Sequence, residues 1–212
     1  MVAAVATPWV RTVSGARVRL RSLRRGDGKR WRELRVANEL ALRRVEPTVA
    51  GDWRAAHSGS AWRSMYAHLV KSRRRGELFP LVIESNGAFV GQVTLGNIQH
   101  GSVSNCWIGY WVAGEYAGQG IATVATALGT DFAMHRLGLH RVEATVMEDN
   151  VASIAVLRNT GFRQEGRLQR NIHINGVWQD HLLMAQTVED IRPFSVVQRL
   201  ISEGKAQADL QG

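Results

Sequence analysis

The sequence predicts a mixed α/β domain: one mostly antiparallel sheet holding a single parallel strand pair, with helices on both faces. Three observations carry that prediction. The order strand, helix, strand over residues 104–147 needs a crossover, and a crossover joins parallel strands. Turn signals at Ser85-Asn86-Gly87 and Asn175-Gly176 mark hairpins, which join antiparallel ones. Between these points the apolar period switches between about 3.6 and 2 residues, so helices and strands interleave.

Element by element, residues 1–15 have no periodicity and read as a flexible N-terminal arm. Arg17–Leu23 alternates polar and apolar, as a half-buried strand does. Gly26-Asp27-Gly28 turns the chain into a helix from about Lys29, with Trp31, Leu34, Arg35 and Asn38 at helical spacing. Pro47 ends a following short helix. A longer helix over about Ser60–Ser72 carries Trp62, Met65, Tyr66 and Leu69 on one stripe. Phe79–Glu84 and Ala88–Leu95 form the first hairpin, and Ser104–Val112 is the next strand. The helix after the glycine segment at 118–120 aligns Ile121, Val124, Ala125, Leu128 and Phe132, and Gly138 closes it. Arg141–Met147 alternates as a strand. Asn150–Asn159 is a short helix stopped at Gly161. Across Asn175-Gly176, simple hairpin register opposes His173 to Trp178 and His181 to Arg170. Residues 189–212 read as an appended helix with a frayed end.

Composition narrows the class of function. At 212 residues with 45% apolar content, the chain has material for one core in a single domain. Cys106 is the one cysteine, so neither an internal disulfide nor a cysteine-based metal cluster can form, which fits a reducing compartment. A lone cysteine on a strand reads as a core residue. His135 and His140 share no helical face, and the remaining histidines form no ligand cluster, so no metal is expected. The start lacks the pattern of a signal peptide, no apolar run reaches the ~18–20 residues of a membrane span, and a cytoplasmic protein is expected. The formal charge is +9, and only three of the 27 basic residues are Lys. A basic surface attracts polyanions, but Arg17–Arg30 and Lys71–Arg75 read as solvated faces rather than a nucleic-acid groove.

Against that charge, the segment Glu115-Tyr-Ala-Gly-Gln-Gly-Ile-Ala-Thr-Val-Ala125 opens a helix with two glycines and no cation. The first turn of a helix leaves backbone N–H groups without partners and carries roughly half a positive charge. Glycines at 118 and 120 let a phosphate approach those donors without meeting a Cβ. On spacing alone, the segment is equally a tight strand-to-helix turn. A phosphate loop of the Gly-Lys-Ser/Thr kind is excluded, because no Lys occurs between Lys71 and Lys205. A dinucleotide fingerprint is disfavoured: Thr123 takes the place of its third glycine, and Glu143 lies inside its strand rather than at the end.

Three motifs in order carry a resemblance: Ile108-Gly-Tyr-Trp-Val112 followed by Ala117-Gly-Gln-Gly-Ile-Ala122; His140-Arg-Val-Glu-Ala-Thr-Val146; and Asn150-Val-Ala-Ser153 leading to Asn159-Thr-Gly-Phe162. Together they resemble the GCN5-related N-acetyltransferases (GNAT), in the branch of RimJ and RimL that acetylates ribosomal-protein N-termini, nearest its actinobacterial RimJ-like members. The likeness covers about residues 16–188, leaving 189–212 as a helical extension, and implies the acyl-CoA N-acyltransferase fold with acetyl-CoA as cofactor. It implies that the main chain at Trp111 and Val112, where the parallel strands splay, pairs with the pantetheine arm. The amides of Gly118, Gln119, Gly120, Ile121, Ala122 and Thr123 would cradle the pyrophosphate. Asn150 would hold the pantetheine, and Ser153 would donate to the leaving thiolate. Read without the resemblance, Asn150 is an N-cap and Ser153 sits at N3 of the same helix.

The chain departs from the family pattern in three places. Ala117 stands where Gln or Arg usually opens the glycine motif. Leu157 stands where some relatives place a tyrosine acid, which moves that role toward Ser153. Arg167–His173 holds no carboxylate where other relatives carry a glutamate base. Glu46, Glu143 or a water relay remain as ways to move the amine's proton. Trp107 and Trp111 share a strand face and read as core packing.

The expected function is transfer of an acetyl group from acetyl-CoA to a primary amine, with a protein N-terminus, ribosomal or otherwise, as acceptor. The alternatives are a small amine such as a polyamine or aminoglycoside, and a basic RNA- or ribosome-binding protein with coenzyme A as ligand. Monomer and homodimer are both compatible with the sequence.

Overall fold

The structure, a computed structural model, describes residues 5–209. Its centre is a sheet built from β1 (Val10–Thr12), β2 (Arg17–Ser22), β3 (Leu78–Ser85), β4 (Ala88–Gln99), β5 (Asn105–Val112), β6 (Arg141–Val146), β7 (Arg163–Ile174), β8 (Val177–Thr187) and β9 (Ala206–Ala208). The order across the sheet is β7-β8-β6-β5-β4-β3-β2-β1-β9. Every neighbouring pair is antiparallel except β5 and β6. The mixed sheet read from the sequence is the observed one.

Both tight turns form as their residues dictate. Asn86 and Gly87 have φ of 48° and 85°, and Asn175 and Gly176 have 46° and 86°. Two successive positive φ values match the right-handed twist of the strands they join.

Helices cover both faces. On one lie α5 (Ile121–Asp131), α6 (Val151–Asn159) and α8 (Val196–Ser202), with Ile121, Val124, Leu128, Leu157 and Leu200 in the main core. On the other, α1 (Gly28–Ala37) and α4 (Gly59–Arg74) pack Trp31, Leu34 and Trp62 against Val82, Phe89 and Ala113. The remaining helices are short: α2 (Glu39–Arg43), α3 (Trp53–Ala56) and α7 (Val188–Ile191). Cys106 is 1% exposed, and burial pushes its thiol up to about 12, so it is an inert core group.

The chain ends differ from the reading by periodicity. Within the stretch expected as a loose arm, Val10–Thr12 forms β1, which pairs with β2 on one side and with β9 on the other. Strands of three residues are too short to display a period of two, so pairing rather than pattern defines them. Asp209 joins Arg11 and Arg17 across this clasp at 3.0 and 2.6 Å. The start of the expected arm, residues 1–4, and the end of the expected extension, residues 210–212, lie outside the described residues.

A buried histidine beneath α1 gives the fold a pH dependence. His57 is 5% exposed, packs on Trp53 and Trp31, and has its Nδ1 2.7 Å from the Trp53 carbonyl. Burial, helped by the Arg35 charge, holds its pKa below the ordinary value, against the pull of the Trp53 carbonyl. As pH falls below about 6.5 the unfolded chain takes up the proton first. The stability contributed by the neutral ring is therefore complete above that pH and declines below it, until the folded ring also titrates. Urea melts between pH 7.5 and 5 should show a steeper loss for the wild type than for His57→Gln. Identical slopes would show that the ring is not held neutral.

Candidate active site

The site begins where β5 and β6 stop touching. They pair in parallel at Asn105 with Arg141, Cys106 with Val142 and Trp107 with Glu143, and no further. Beyond that point β5 runs on to Val112 bound only to β4, and β6 runs on to Val146 bound only to β8. The V between them starts at Ile108, three residues before the expected splay at Trp111, and it exposes two strand edges with unpaired main-chain groups. Trp111 and Val112 stand at its wide end.

Two adjoining clefts occupy the V and share Tyr110, Trp111, Asn150 and Ser153. The larger, of about 510 Å³, runs between Val112, the 117–123 loop, α6 and the end of α1. Asn38 fixes the last of these walls: its Oδ1 accepts from Gly114 N at 2.7 Å, while its Nδ2 donates to Leu34 O. No Lys or Arg lines this cleft among the described residues. Arg30 of α1, which reaches the segment before the loop, is held by Glu115 at 2.7 Å and by the Tyr116 hydroxyl at 3.3 Å.

At one end of the cleft lies the mouth of α5. Gly118 and Gly120 have φ of 74° and 76°, a backbone state in which a side chain is strained. A Cβ at Gly118 would meet nothing within 4 Å, so that face of the loop is open. The first helical hydrogen bond runs from Val124 N to Gly120 O, which leaves the amides of Ile121, Ala122 and Thr123 as the donors of the first turn. The loop is braced from behind by the supposed arm, because Ser14 donates to Gln119 O at 2.9 Å and Thr12 packs beneath Gly120. Gln119 turns away from the cleft, its amide 3.3 Å from Glu115 O. An uncharged groove ending in unpaired amides can hold a ligand with an anionic head and a neutral, amide-bearing tail.

Where the clefts meet, α6 presents its first turn. Asn150 Oδ1 accepts from Ser153 N at 3.1 Å, so the N-cap reading is correct. Among the described residues its Nδ2 makes no hydrogen bond, and the residue lines both clefts. Ser153 Oγ lies 2.7 Å from the Tyr110 hydroxyl. Burial pushes that phenol up to about 12, opposed by the Ser153 hydrogen bond. Tyr110 is therefore protonated at neutral pH and can keep its hydrogen on Ser153, leaving the serine's own proton for a neighbour in the cleft.

The smaller cleft, of about 390 Å³, opens on the face of α1 and α4. One wall is the loop after α2, with Val45, Glu46 and Pro47; opposite it lie β5 from Trp107 to Trp111, the end of β6 and His181 of β8. Thr48 N donates to His173 O at 2.7 Å, and Pro47 bridges to Ile174, which ties loop to hairpin. Trp107 lies in this cleft and is 43% exposed, so it is not the core residue its periodicity implied. Its ring lies flat on the sheet because Gly96 opposite has no side chain; a Cβ there would sit 2.2 Å from the ring.

Both candidate carboxylate bases are occupied. Glu46 lines the cleft, but both its oxygens accept from the Arg35 guanidinium. Arg35 is 7% exposed and lies 5.1 and 5.3 Å from the Trp53 and Trp111 ring centres. Glu143 sits on the paired part of β6, below the opening of the V, and is bound to Arg141 at 2.6 Å. Sequence reasoning missed Tyr110, Trp107 and His181 as cleft residues. A glycine opposite Trp107 was the one legible signal for any of them.

This splayed V, with a glycine-opened helix at one end and a capped serine at its centre, places the chain in a family: it matches the Acetyltransferase (GNAT) domain over residues 17–163 and belongs to it. Among solved structures it is similar to Mycobacterium smegmatis RimJ in complex with CoA-disulfide, at 41% identity and a TM-score of 0.94, covering 97% of each chain. It is 41% identical over 107 residues to a Bacillus subtilis protein described as a probable N-acetyltransferase, YjcK, spanning 50% of this chain and 59% of that relative. With the Escherichia coli [ribosomal protein uS5]-alanine N-acetyltransferase it shares 26% identity over 136 residues, 63% of this chain and 70% of that enzyme. Among the described residues no group of three or more His, Cys, Asp or Glu is placed to hold a metal, and no helix is long and apolar enough to cross a membrane.

Proposed function

We propose that this chain acetylates the N-terminal α-amine of a protein in the cytoplasm, with acetyl-CoA as donor and ribosomal proteins as the acceptor class. Bound acetyl-CoA supplies an acetyl group already activated as a thioester. The larger cleft takes the coenzyme. Gly118 and Gly120 open the loop, and the amides from there to Ile121, Ala122 and Thr123 receive the diphosphate. The free edge of β5 at Trp111 and Val112 pairs with the pantetheine amides. Asn150 adds a donor through Nδ2 while its Oδ1 caps α6. Ser153, backed by Tyr110, delivers a proton to the departing sulfur. Gln119 contributes main chain only.

The observation that carries the acceptor reading is the absence of an unpaired carboxylate from the smaller cleft among the described residues, Glu46 being held by Arg35. A polycationic small amine binds best against unpaired negative charge. An α-amine needs none, and with a pKa of about 7.7–8.0 roughly a tenth of it is neutral at pH 7, against well under a thousandth of a lysine at about 10.4. Relatives that act on ribosomal-protein alanine support the same acceptor class.

The test is thiol release from acetyl-CoA with peptides beginning Ala, Ser or Met, with the same peptides blocked at the N-terminus but carrying a lysine, and with spermidine. Turnover confined to free α-amines is expected. Equal rates on the lysine, or turnover of spermidine alone, would contradict the proposal.

A further inference from the structure

The proposed reaction must remove a proton from the amine, and the carboxylates considered for it are tied to arginines. We infer that His181 is the general base, taking that proton on Nε2 from the acceptor side of the V. This inference rests on the acetyl-transfer reading above and adds a group to it.

The placement of His181 follows from strand alternation. On β8, Leu182 and Met184 point into the main core beneath α5. His181 and Leu183 point to the other face, the one on which the smaller cleft opens, as do Thr145 of β6 and Met147 just beyond it. Leu182 pairs with Val146, the last residue of β6. His181 therefore stands one residue past the end of that ladder, at the lip of the V. It is 3% exposed and lines the cleft with Thr145, Met147 and Trp107. Ser153 reaches the same junction from the opposite face, on α6. An acid on the thiol side and a base on the amine side is the arrangement that aminolysis of a thioester needs.

The backbone sets the tautomer. His181 Nδ1 lies 3.1 Å from the Gln179 carbonyl oxygen, and a carbonyl only accepts, so Nδ1 carries a hydrogen, and in the neutral ring the lone pair is on Nε2. Among the described residues Nε2 has no hydrogen-bond partner and is not a sealed, unsatisfied atom, so its remaining access is to the cleft. The charged groups around the ring are already matched. Glu46 is on Arg35, Arg167 of β7 bridges Glu148 and Asp180 at 3.0 Å each, and Tyr110 of β5 is a protonated phenol. Among the described residues that line the cleft, Glu46 is the one carboxylate, and Arg35 holds it.

In the step itself, the amine nitrogen forms its bond to the acetyl carbon while the carbon–sulfur bond breaks. The amine's proton passes to His181 Nε2, directly or through one water, and Ser153 gives a proton to the sulfur. The imidazolium then returns its proton to solvent, and Ser153 takes one back from it.

The experiment has two arms on the full chain. Imidazole-resolved ¹⁵N spectra of the wild type should show the neutral His181 ring with its proton on Nδ1. A neutral ring with its proton on Nε2 would overturn the inference without any turnover assay. In the thiol-release assay with Ala-, Ser- and Met-initiated peptides, His181→Gln should lower kcat by about 10²–10⁴-fold. KM and calorimetric coenzyme A affinity should stay near wild type. Added imidazole should partly restore His181→Ala, which separates lost chemistry from lost structure. Wild-type turnover with undiminished kcat in His181→Gln would overturn the inference and leave the acetyl-transfer reading intact. Absence of wild-type turnover on every peptide would sink that reading and this inference with it, whereas the spectra judge His181 alone.

Discussion

Gly120→Glu should lower calorimetric affinity for coenzyme A by about 10²–10⁴-fold, because its side chain, starting beside Thr12 beneath the loop, pushes the loop amides out of line with the diphosphate. Charge-assisted hydrogen bonds contribute roughly 1.5–3 kcal/mol each, and losing two of them at about 1.4 kcal/mol per tenfold gives that range. Repulsion between like charges adds to it in a cleft where no Lys or Arg is at hand to compensate. The fold should survive. A side chain at φ of 76° costs about 1–2 kcal/mol, and the nearest atom to a new Cβ is Thr12 Cβ at 3.5 Å, an ordinary contact. Gly120→Ala carries the same strain without the rest of the side chain, so the gap between the two variants isolates that displacement and the charge. Equal affinities in Gly120→Ala and Gly120→Glu, both near wild type, would mean that the loop is a turn and not a cradle.

Ser153→Ala should reduce kcat by about 10²-fold or more with little change in KM, since the serine acts on the leaving sulfur rather than on binding. Tyr110→Phe should cost less, because it removes only the group that holds the serine's hydrogen in place. The 2.7 Å contact makes the two residues one device, so the double variant should be no slower than Ser153→Ala alone. With its phenol pushed up to about 12, Tyr110 should add no alkaline inflection to the wild-type profile below pH 10. Additive losses, or a wild-type kcat in Ser153→Ala, would remove the pair from the chemistry.

Much of this architecture was legible in the residues, for reasons that can be named. Asn86-Gly87 and Asn175-Gly176 determine their turns because few residues tolerate two positive φ values. The crossover between β5 and β6 follows from the length of chain between two strands, and Asn150 announces α6 because its short side chain suits an N-cap. What stayed hidden depends on partners distant in sequence. β1 and β9 are strands only because they pair with each other and with β2. Glu46 looks like a free loop carboxylate until Arg35, wedged among tryptophan rings, takes both its oxygens. His181 pairs with Leu168 instead of the expected Arg170, because a bulge between Leu168 and Ile172 shifts the register. Arg170 takes φ of 48° there without a glycine to advertise it. Trp107 and Trp111 share a face, as alternation says, but alternation cannot tell which part of that face a helix covers.

The central claim is that main-chain amides at the mouth of α5, and not side-chain cations, bind the diphosphate of coenzyme A. A crystal structure of the complex tests it most directly. The claim predicts diphosphate oxygens about 2.7–3.2 Å from amide nitrogens within residues 118–123, with no Arg or Lys in contact. A diphosphate seated on arginines elsewhere, with those amides turned to water, would contradict it.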